Sequence, residues 1–271
     1  MRFKRIGHCG TLDPLASGIL LLCVGPYTRL SPWLTGGEKV YTSRFRLGST
    51  SDSGDSCGTV QEVEGAVQPS LEEIEACLGP LRGEIEQVPP AFSAIKINGV
   101  PAYKLARQNK EVEMRPRQVR VYAFEITAYE FPDLDVRIAC SAGTYIRSLA
   151  IDLGHALGCG AHLTQLRRVR LGGVDIGGAY SMDRLEAEVP TEGIGKFWVH
   201  PREALENLPA VEIDGPALER LKNGNALEME MPGEIEPGRE VAVYDSGRIW
   251  AVAKALEGGL KPVKVFPCGS G

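Results

Sequence analysis

The run ILLLCVG (19–25) is apolar throughout and ends at a glycine, the pattern of a short strand buried on both faces. KVYTSRFRL (39–47) alternates instead. Tyr41, Ser43, Phe45 and Leu47 fall on one face and Val40, Thr42, Arg44 and Arg46 on the other, so Tyr41 is expected to point to the covered side. The polar stretch STSDSGDSCG (49–58) reads as a loop. Ser70 and Glu73 form a capping box ahead of LEEIEACL, a helix that Gly79 should stop. Residues 87–107 read as extended chain, a turn at Asn98-Gly99 and a short helix. Strands are expected at about 117–128 and 134–140, the second with Leu134, Val136, Ile138 and Cys140 on one side. In TYIRSLAIDLGHAL, Ile146, Leu149, Ala150, Leu153 and Leu157 make one apolar stripe, with Thr144, Tyr145 and Arg147 in the first turn.

Strands thus outnumber helices over residues 1–180, which predicts the α+β class. No βαβ unit with a glycine-rich fingerprint occurs, which removes the common nucleotide-binding readings. SMDRLEAEV (181–189) reads as a linking helix, and from about 207 the chain alternates around the turn Ser246-Gly247 and closes on KPVKVF, as in a small β-rich module. The expected organisation is residues 1–180, a linker at 181–206, and the module at 207–271.

Composition narrows the chemistry. The chain is 43% hydrophobic and 24% charged, ordinary for a folded protein, and holds no apolar stretch long enough for a membrane span or a secretory signal. A cytoplasmic location is expected. Its seven cysteines are scattered without a C-x-x-C pair, so reduced thiols are expected, and the four histidines add no close ligand pairs for a metal. Net charge is −5, but the acidity is local: residues 181–271 hold 10 basic against 16 acidic residues, whereas 91–120 hold seven against two. That basic segment and the knot Arg167, Arg168 and Arg170 are candidates for contacting phosphates; otherwise each is an ordinary solvated face.

One carboxylate stands out. In GHCGTLDPLASG (7–18), Asp13 precedes a proline and lies just before the apolar run. Aspartate is at home in such turns. Glycines at 7, 10 and 18 also permit tight backbone geometry, however, and a following strand could anchor the loop rigidly.

GHCGTLDPLASGILLLCVG resembles the signature of the bacterial tRNA pseudouridine-55 synthases, the TruB family. KVYTSRFRLGSTSDSGDSCGTV (39–60), PPAFSAIKINGVPAYKLAR (89–107), CSAGTYIRSLAIDLGHALG (140–158) and AHLTQLRRVRLGG (161–173) resemble further blocks of that family in the same order. The resemblance covers nearly the whole chain, and its C-terminal stretch is similar to the family's PUA-like RNA-binding module. It implies a pseudouridine synthase fold with a mixed, mostly antiparallel central sheet flanked by helices and loops.

By the same resemblance Asp13 corresponds to the nucleophile. Tyr41 corresponds to the aromatic that stacks on the target base and takes the C5 proton, and Arg147 to the arginine paired with the carboxylate. Tyr145 and Leu166 line the base pocket, His8 helps hold the flipped-out nucleotide, and Lys96 lies in a block that contacts RNA. Arg167 and Arg168 are expected at phosphates. The implied activity is isomerisation of the T-loop uridine of tRNA without a cofactor or metal, by a monomer that needs no protein partner. Two other readings are a tRNA-binding or tRNA-folding protein that has lost turnover, and a guide-dependent ribosomal RNA synthase. SAIKINGVPAY favours the stand-alone bacterial form over the last.

There is one departure. In the family the G-T-L-D-P block follows a longer leader that contains a first core strand and a D-K-P-x-G-x-T-S stretch, whereas here Gly7 follows only six residues. Loss of a core strand would bare a sheet edge, so the expectation is a start placed at an internal methionine, with the missing stretch encoded upstream.

Overall fold

The computed structural model describes residues 5–90 and 114–266, together with Ser93, Lys96, Ile97, residues 99–102, Leu105 and Gln108 between them. The chain divides into two compact units interleaved along the sequence. One comprises Leu12–Gly18 and Glu38–Val169, the other the residues up to Thr11, Ile19–Gly37 and those from Arg170 on. Boundaries read from composition run linearly, at 180 and 206; the compact units do not.

At the start of the chain, β1 (Ile6–His8) pairs antiparallel with β3 (Leu22–Val24), and β2 (Ser17–Gly18) lies between them in sequence. The apolar run 19–25 is therefore less of a strand than its composition predicts. Leu20 and Leu22 are 43% and 49% exposed while Ile19, Cys23 and Val24 are buried. A two-stranded ribbon covers one face only, which explains the open side.

The unit containing residues 38–169 is built on β4 (Lys39–Leu47), which carries the expected alternation: Tyr41, Ser43, Phe45 and Leu47 are all buried. The polar loop that follows is framed by a short hairpin, β5 (Ser49–Ser51) with β6 (Val60–Glu62). The helix Leu71–Leu78 begins with the capping box, Glu73 N–H donating to Ser70 Oγ (3.2 Å) and Ser70 N–H to Glu73 Oε2 (2.7 Å). At Gly79 the backbone stays right-handed and runs on as a tight turn to Leu81, rather than stopping in the left-handed conformation.

Next come β7 (Gly83–Gln87), the pair β8 (Lys96–Ile97) and β9 (Val100–Pro101), and then β10 (Arg117–Glu130) and β11 (Asp133–Cys140). The helix Ile146–Ala156 and β12 (Ala161–Leu171) complete the unit. The short helix expected near 102–107 falls largely outside the described residues.

The strands order as β12-β4-β11-β10-β7, antiparallel from β4 to β7, with β2 added parallel to β12. The mixed, mostly antiparallel sheet is thus as expected. Phe45 and Phe124 meet edge to face across the sheet with centroids 6.1 Å apart, and Leu134, Val136 and Ile138 join Leu149 and Leu153 of the long helix in one core. Each such side chain contributes roughly 1.5–3 kcal/mol on burial.

In the other unit, Arg170 and Leu171 at the end of β12 pair with β13 (Val174–Asp175), and the helix Met182–Glu192 follows, capped by Ser181. The C-terminal sheet holds β14 (Ala210–Glu212), β15 (Leu227–Glu228), β16 (Glu240–Asp245), β17 (Arg248–Leu256) and β18 (Gly259–Val265), in the order β14-β16-β17-β18-β15. The turn predicted at Ser246-Gly247 joins β16 to β17, with φ of 49° and 76° at its two residues, the left-handed pair a tight hairpin requires.

Candidate active site

Asp13 sits in a tight turn, Ala16 N–H donating to its carbonyl at 2.8 Å, and the chain then adds to β12 as β2, with Ser17 opposite Arg167 and Gly18 opposite Arg168. Gly18 is required there. Its φ is +102°, and a Cβ would run into the Arg168 carbonyl. The Asp13 loop is therefore fastened to a strand of the central sheet five residues after the carboxylate.

Arg147 comes from the first turn of the helix Ile146–Ala156. Its Nε donates to Asp13 Oδ2 at 2.9 Å and its Nη2 to Asp13 Oδ1 at 3.0 Å, a bidentate pair. Arg147 is 4% exposed and the Asp13 side chain 31%, so the guanidinium forms a buried backing and the carboxylate faces outward from it.

The third nitrogen of Arg147, Nη1, donates to the Ser53 carbonyl at 3.1 Å and stands 3.6 Å from Asp55 Oδ2. Asp55 is itself buried, accepting from Ser53 Oγ (2.7 Å) and Cys57 N–H (3.0 Å). Its loop is pinned to β12 by Leu163 N–H to Gly54 O (3.0 Å) and Ser56 N–H to Leu163 O (2.9 Å). One guanidinium thus spans two carboxylates, which fixes its plane.

The base of the helix is held separately. Gln87, at the end of β7, accepts from Tyr145 N–H at 2.7 Å and donates from Nε2 to the Tyr145 carbonyl at 3.0 Å, and Ser148 Oγ donates to Val88 O at 2.9 Å. Tyr145 is the residue just before the helix and makes no side-chain cap, so the amide of Gln87 supplies the partners its backbone needs. Arg147 lies between these two anchored residues.

Tyr41 lies across from the ion pair on β4, 8% exposed, in one apolar cluster with Leu166 and partly buried Leu15 and Ala16. Burial pushes its phenol up to about 12, the Cys140 thiol and the Asp13 carboxylate adding to the rise, while the nearby positive charge of Arg168 opposes it. Behind Tyr41, burial and the nearby Arg168 bring Lys39 down to about 8, and burial pushes Cys140 up to about 11.

The structure therefore brings together Asp13, Tyr41 and Arg147, with Leu166 beside Tyr41 and Tyr145 adjoining Arg147. Arg167 and Arg168 part company: the first is exposed on β12, the second buried. His8, on β1 in the other unit, is solvent-exposed. Lys96 is placed on β8, but its side chain lies outside the described residues.

Asp55 and Gln87 escape a sequence reading, since nothing in STSDSGDSCG sets Asp55 apart from Asp52, and Gln87 reads as ordinary strand. The burial of Arg168 did leave a signal. Alternation along β12 puts it on the same side as Leu166 and opposite Arg167. Among the described residues no group of three or more His, Cys, Asp or Glu side chains is arranged to hold a metal ion, and no helix is long and apolar enough to cross a membrane.

Known proteins bear on this arrangement. The family described as TruB family pseudouridylate synthase (N terminal domain) matches residues 1–146, and the tRNA pseudouridylate synthase B C-terminal domain matches residues 147–196. The tRNA pseudouridine synthase B of Dechloromonas aromatica is 41% identical over 254 residues, covering 94% of this chain and 83% of that protein. Its namesake in Burkholderia lata is 39% identical over 265 residues, covering 97% and 81%. Among solved structures, a chain of a Cbf5-Nop10-Gar1 complex superposes with a TM-score of 0.74 at 27% identity, over 98% of this chain and 77% of that one. With identity sustained along nearly its full length and the family match spanning more than half of it, the chain belongs to the TruB family of pseudouridylate synthases.

Proposed function

We propose that this chain isomerises a uridine of tRNA to pseudouridine, the one at position 55 of the T-loop, with Asp13 as the nucleophile acting on a flipped-out base. The observation that carries the reading is the Asp13 carboxylate, one third exposed and held in two hydrogen bonds by a buried guanidinium. Two charge-assisted hydrogen bonds from one planar fork fix both oxygens of such a carboxylate and so set the direction in which it faces a substrate.

The reaction breaks the N1–C1′ bond, turns the base, and joins it again through C5; the C5 proton leaves and N1 gains one, with no net oxidation. Attack at C1′, attack at C6 and a glycal route all start from the ionised carboxylate. A base stacked within RNA is out of reach, and extruding it costs a few kcal/mol. The Tyr41 ring provides a stacking face to offset that cost, with Leu166 and Tyr145 lining the pocket. Arg167 and the basic segment containing Lys96 meet the phosphates of the T stem-loop, while its shape is read as a whole. The protein works as a cytoplasmic monomer on bare RNA.

Incubating an unmodified T-arm transcript with the protein alone, then mapping pseudouridine by carbodiimide treatment and primer extension, tests this. A single stop at the T-loop uridine is expected. Tight binding with no stop would instead favour a tRNA-binding protein without turnover, and a stop that appears only with added guide RNA or proteins would favour a guide-dependent enzyme.

A further inference from the structure

A helix commonly begins on a side chain that caps its first backbone groups. The helix Ile146–Ala156 does not. Tyr145 precedes it in extended conformation, with φ of −102° and ψ of 112°, and makes no side-chain cap. The start of this helix is set from the sheet instead. Gln87, at the end of β7 and 2% exposed, turns its amide against the Tyr145 main chain. Its Oε1 accepts from Tyr145 N–H at 2.7 Å and its Nε2 donates to the Tyr145 carbonyl at 3.0 Å, the exchange of bonds that a neighbouring strand would otherwise make. The same carbonyl accepts the first helical bond, from Leu149 N–H at 3.3 Å, so the strand and the helix share one acceptor. One residue on, Val88 O accepts from Ser148 Oγ at 2.9 Å, and Ser148 is itself buried.

Arg147 lies between the two residues held in this way. Its fork meets Asp13 at 2.9 and 3.0 Å, and a bidentate pair depends on the direction from which the guanidinium arrives. Gln87 is too buried to meet a substrate, and its amide oxygen and nitrogen each bond the Tyr145 main chain. Resting on the reading of the site given above, we propose that Gln87 is a positioning residue for the isomerisation: by clamping the Tyr145 main chain to β7, it sets the direction in which the first turn of the helix presents the Arg147 fork to the Asp13 carboxylate. A misplacement of about 1 Å costs on the order of 100-fold in rate.

The test uses the full chain with T-arm RNA and compares Gln87→Met, Gln87→Asn and Tyr129→Phe. Methionine keeps the bulk and removes both bonds. Asparagine keeps an amide one methylene too short to make them, and serves if the methionine variant fails to fold. Tyr129→Phe is the control for a lost hydrogen bond as such, since the Tyr129 hydroxyl donates to the Pro69 carbonyl at the end of β10 away from β7. Both Gln87 variants should lower the single-turnover rate at saturating RNA by about 10- to 100-fold and leave the dissociation constant within about 3-fold. Tyr129→Phe should keep the wild-type rate. In an Arg147→Lys background, where the fork is already gone, Gln87→Met should add almost nothing.

Wild-type rates in the folded Gln87 variants, a loss of affinity in place of rate, or a full multiplicative loss in the Arg147→Lys background would overturn the proposal. The 15Nε resonance of Arg147, assigned by its loss in Arg147→Lys, gives a readout independent of turnover: it should move in both Gln87 variants and stay in place in Tyr129→Phe. An unmoved resonance overturns the Gln87 assignment. A wild-type protein without turnover, but with the shift present, overturns the proposed function alone.

Discussion

Arg147 binds Asp13 through two nearly equal bonds, 2.9 Å from Nε and 3.0 Å from Nη2, while its remaining nitrogen turns towards the Ser53 carbonyl and the Asp55 carboxylate. The guanidinium is thus anchored on one edge and presents the other to the reactive carboxylate. The Asp13 loop and the 53–55 loop meet at this one side chain, while the chain at the end of β7 holds its neighbours in the helix, through the Tyr145 backbone and Ser148 Oγ.

That fork is the basis of the first prediction. Arg147→Lys retains a positive charge but offers a point donor in place of two parallel ones, so a carboxylate bond is lost and Asp55 competes for what remains. The expected result is a fall in the isomerisation rate of about 10- to 100-fold, equivalent to about 1.4–2.8 kcal/mol. Rapid-quench kinetics on T-arm RNA measures it.

Asp55 anchors the far edge of the same guanidinium, so Asp55→Asn should act on rate without touching RNA. Removing that charge from a buried, hydrogen-bonded group costs about 1–3 kcal/mol. A fall in rate of at least about 10-fold with an unchanged dissociation constant is expected, read from single-turnover kinetics beside a filter-binding titration.

The 53–55 loop reaches the helix because residue 54 is glycine. Its φ is +75°, and a Cβ there would lie 2.9 Å from Ile151 Cδ1 and 3.5 Å from Arg147 Cβ. The Ile151 contact is with the tip of a flexible side chain and can yield; the left-handed backbone cannot. Gly54→Ala should therefore destabilise the protein by about 1–2 kcal/mol, seen in urea denaturation, and slow turnover through the displaced Asp55.

Lys39 gives a pH signature. Burial, helped by Arg168, lowers its amine from the ordinary 10.5 to about 8 in the folded protein. Between those values the unfolded chain holds a proton that the folded one has released, so stability rises with pH across the window. Relative to Lys39→Met, the wild type should gain stability from about pH 8 to about 10.5 and show a constant difference below pH 8. Paired urea denaturations at pH 7 and pH 10 check the sign.

Much of the fold was legible where one local rule decided the outcome. Alternation placed Tyr41 and Phe45 in the core, the Ser70 and Glu73 pair started its helix, and the apolar stripe from Ile146 to Leu153 faced the sheet. The run 19–25 misled because hydrophobicity alone does not say how many neighbours a strand will find, and among the described residues this one pairs only with β1. The meeting of Asp13 with Arg147, 134 positions apart, carries no local signal at all and was anticipated through the family resemblance. Asp55 and Gln87 matter through what they touch: Arg147 in one case and the main chain of Tyr145 in the other. A residue chosen by a distant partner leaves no periodicity to read.

The most direct test of the whole account is the turnover of Asp13→Asn. The amide is nearly the same size and can still accept from Arg147, but it carries no charge and is a poor nucleophile, so the variant should bind T-arm RNA within a few-fold of wild type and form no pseudouridine over many wild-type half-lives. Measurable pseudouridine from a preparation of Asp13→Asn verified free of the wild-type protein would contradict the assignment of that carboxylate as the nucleophile.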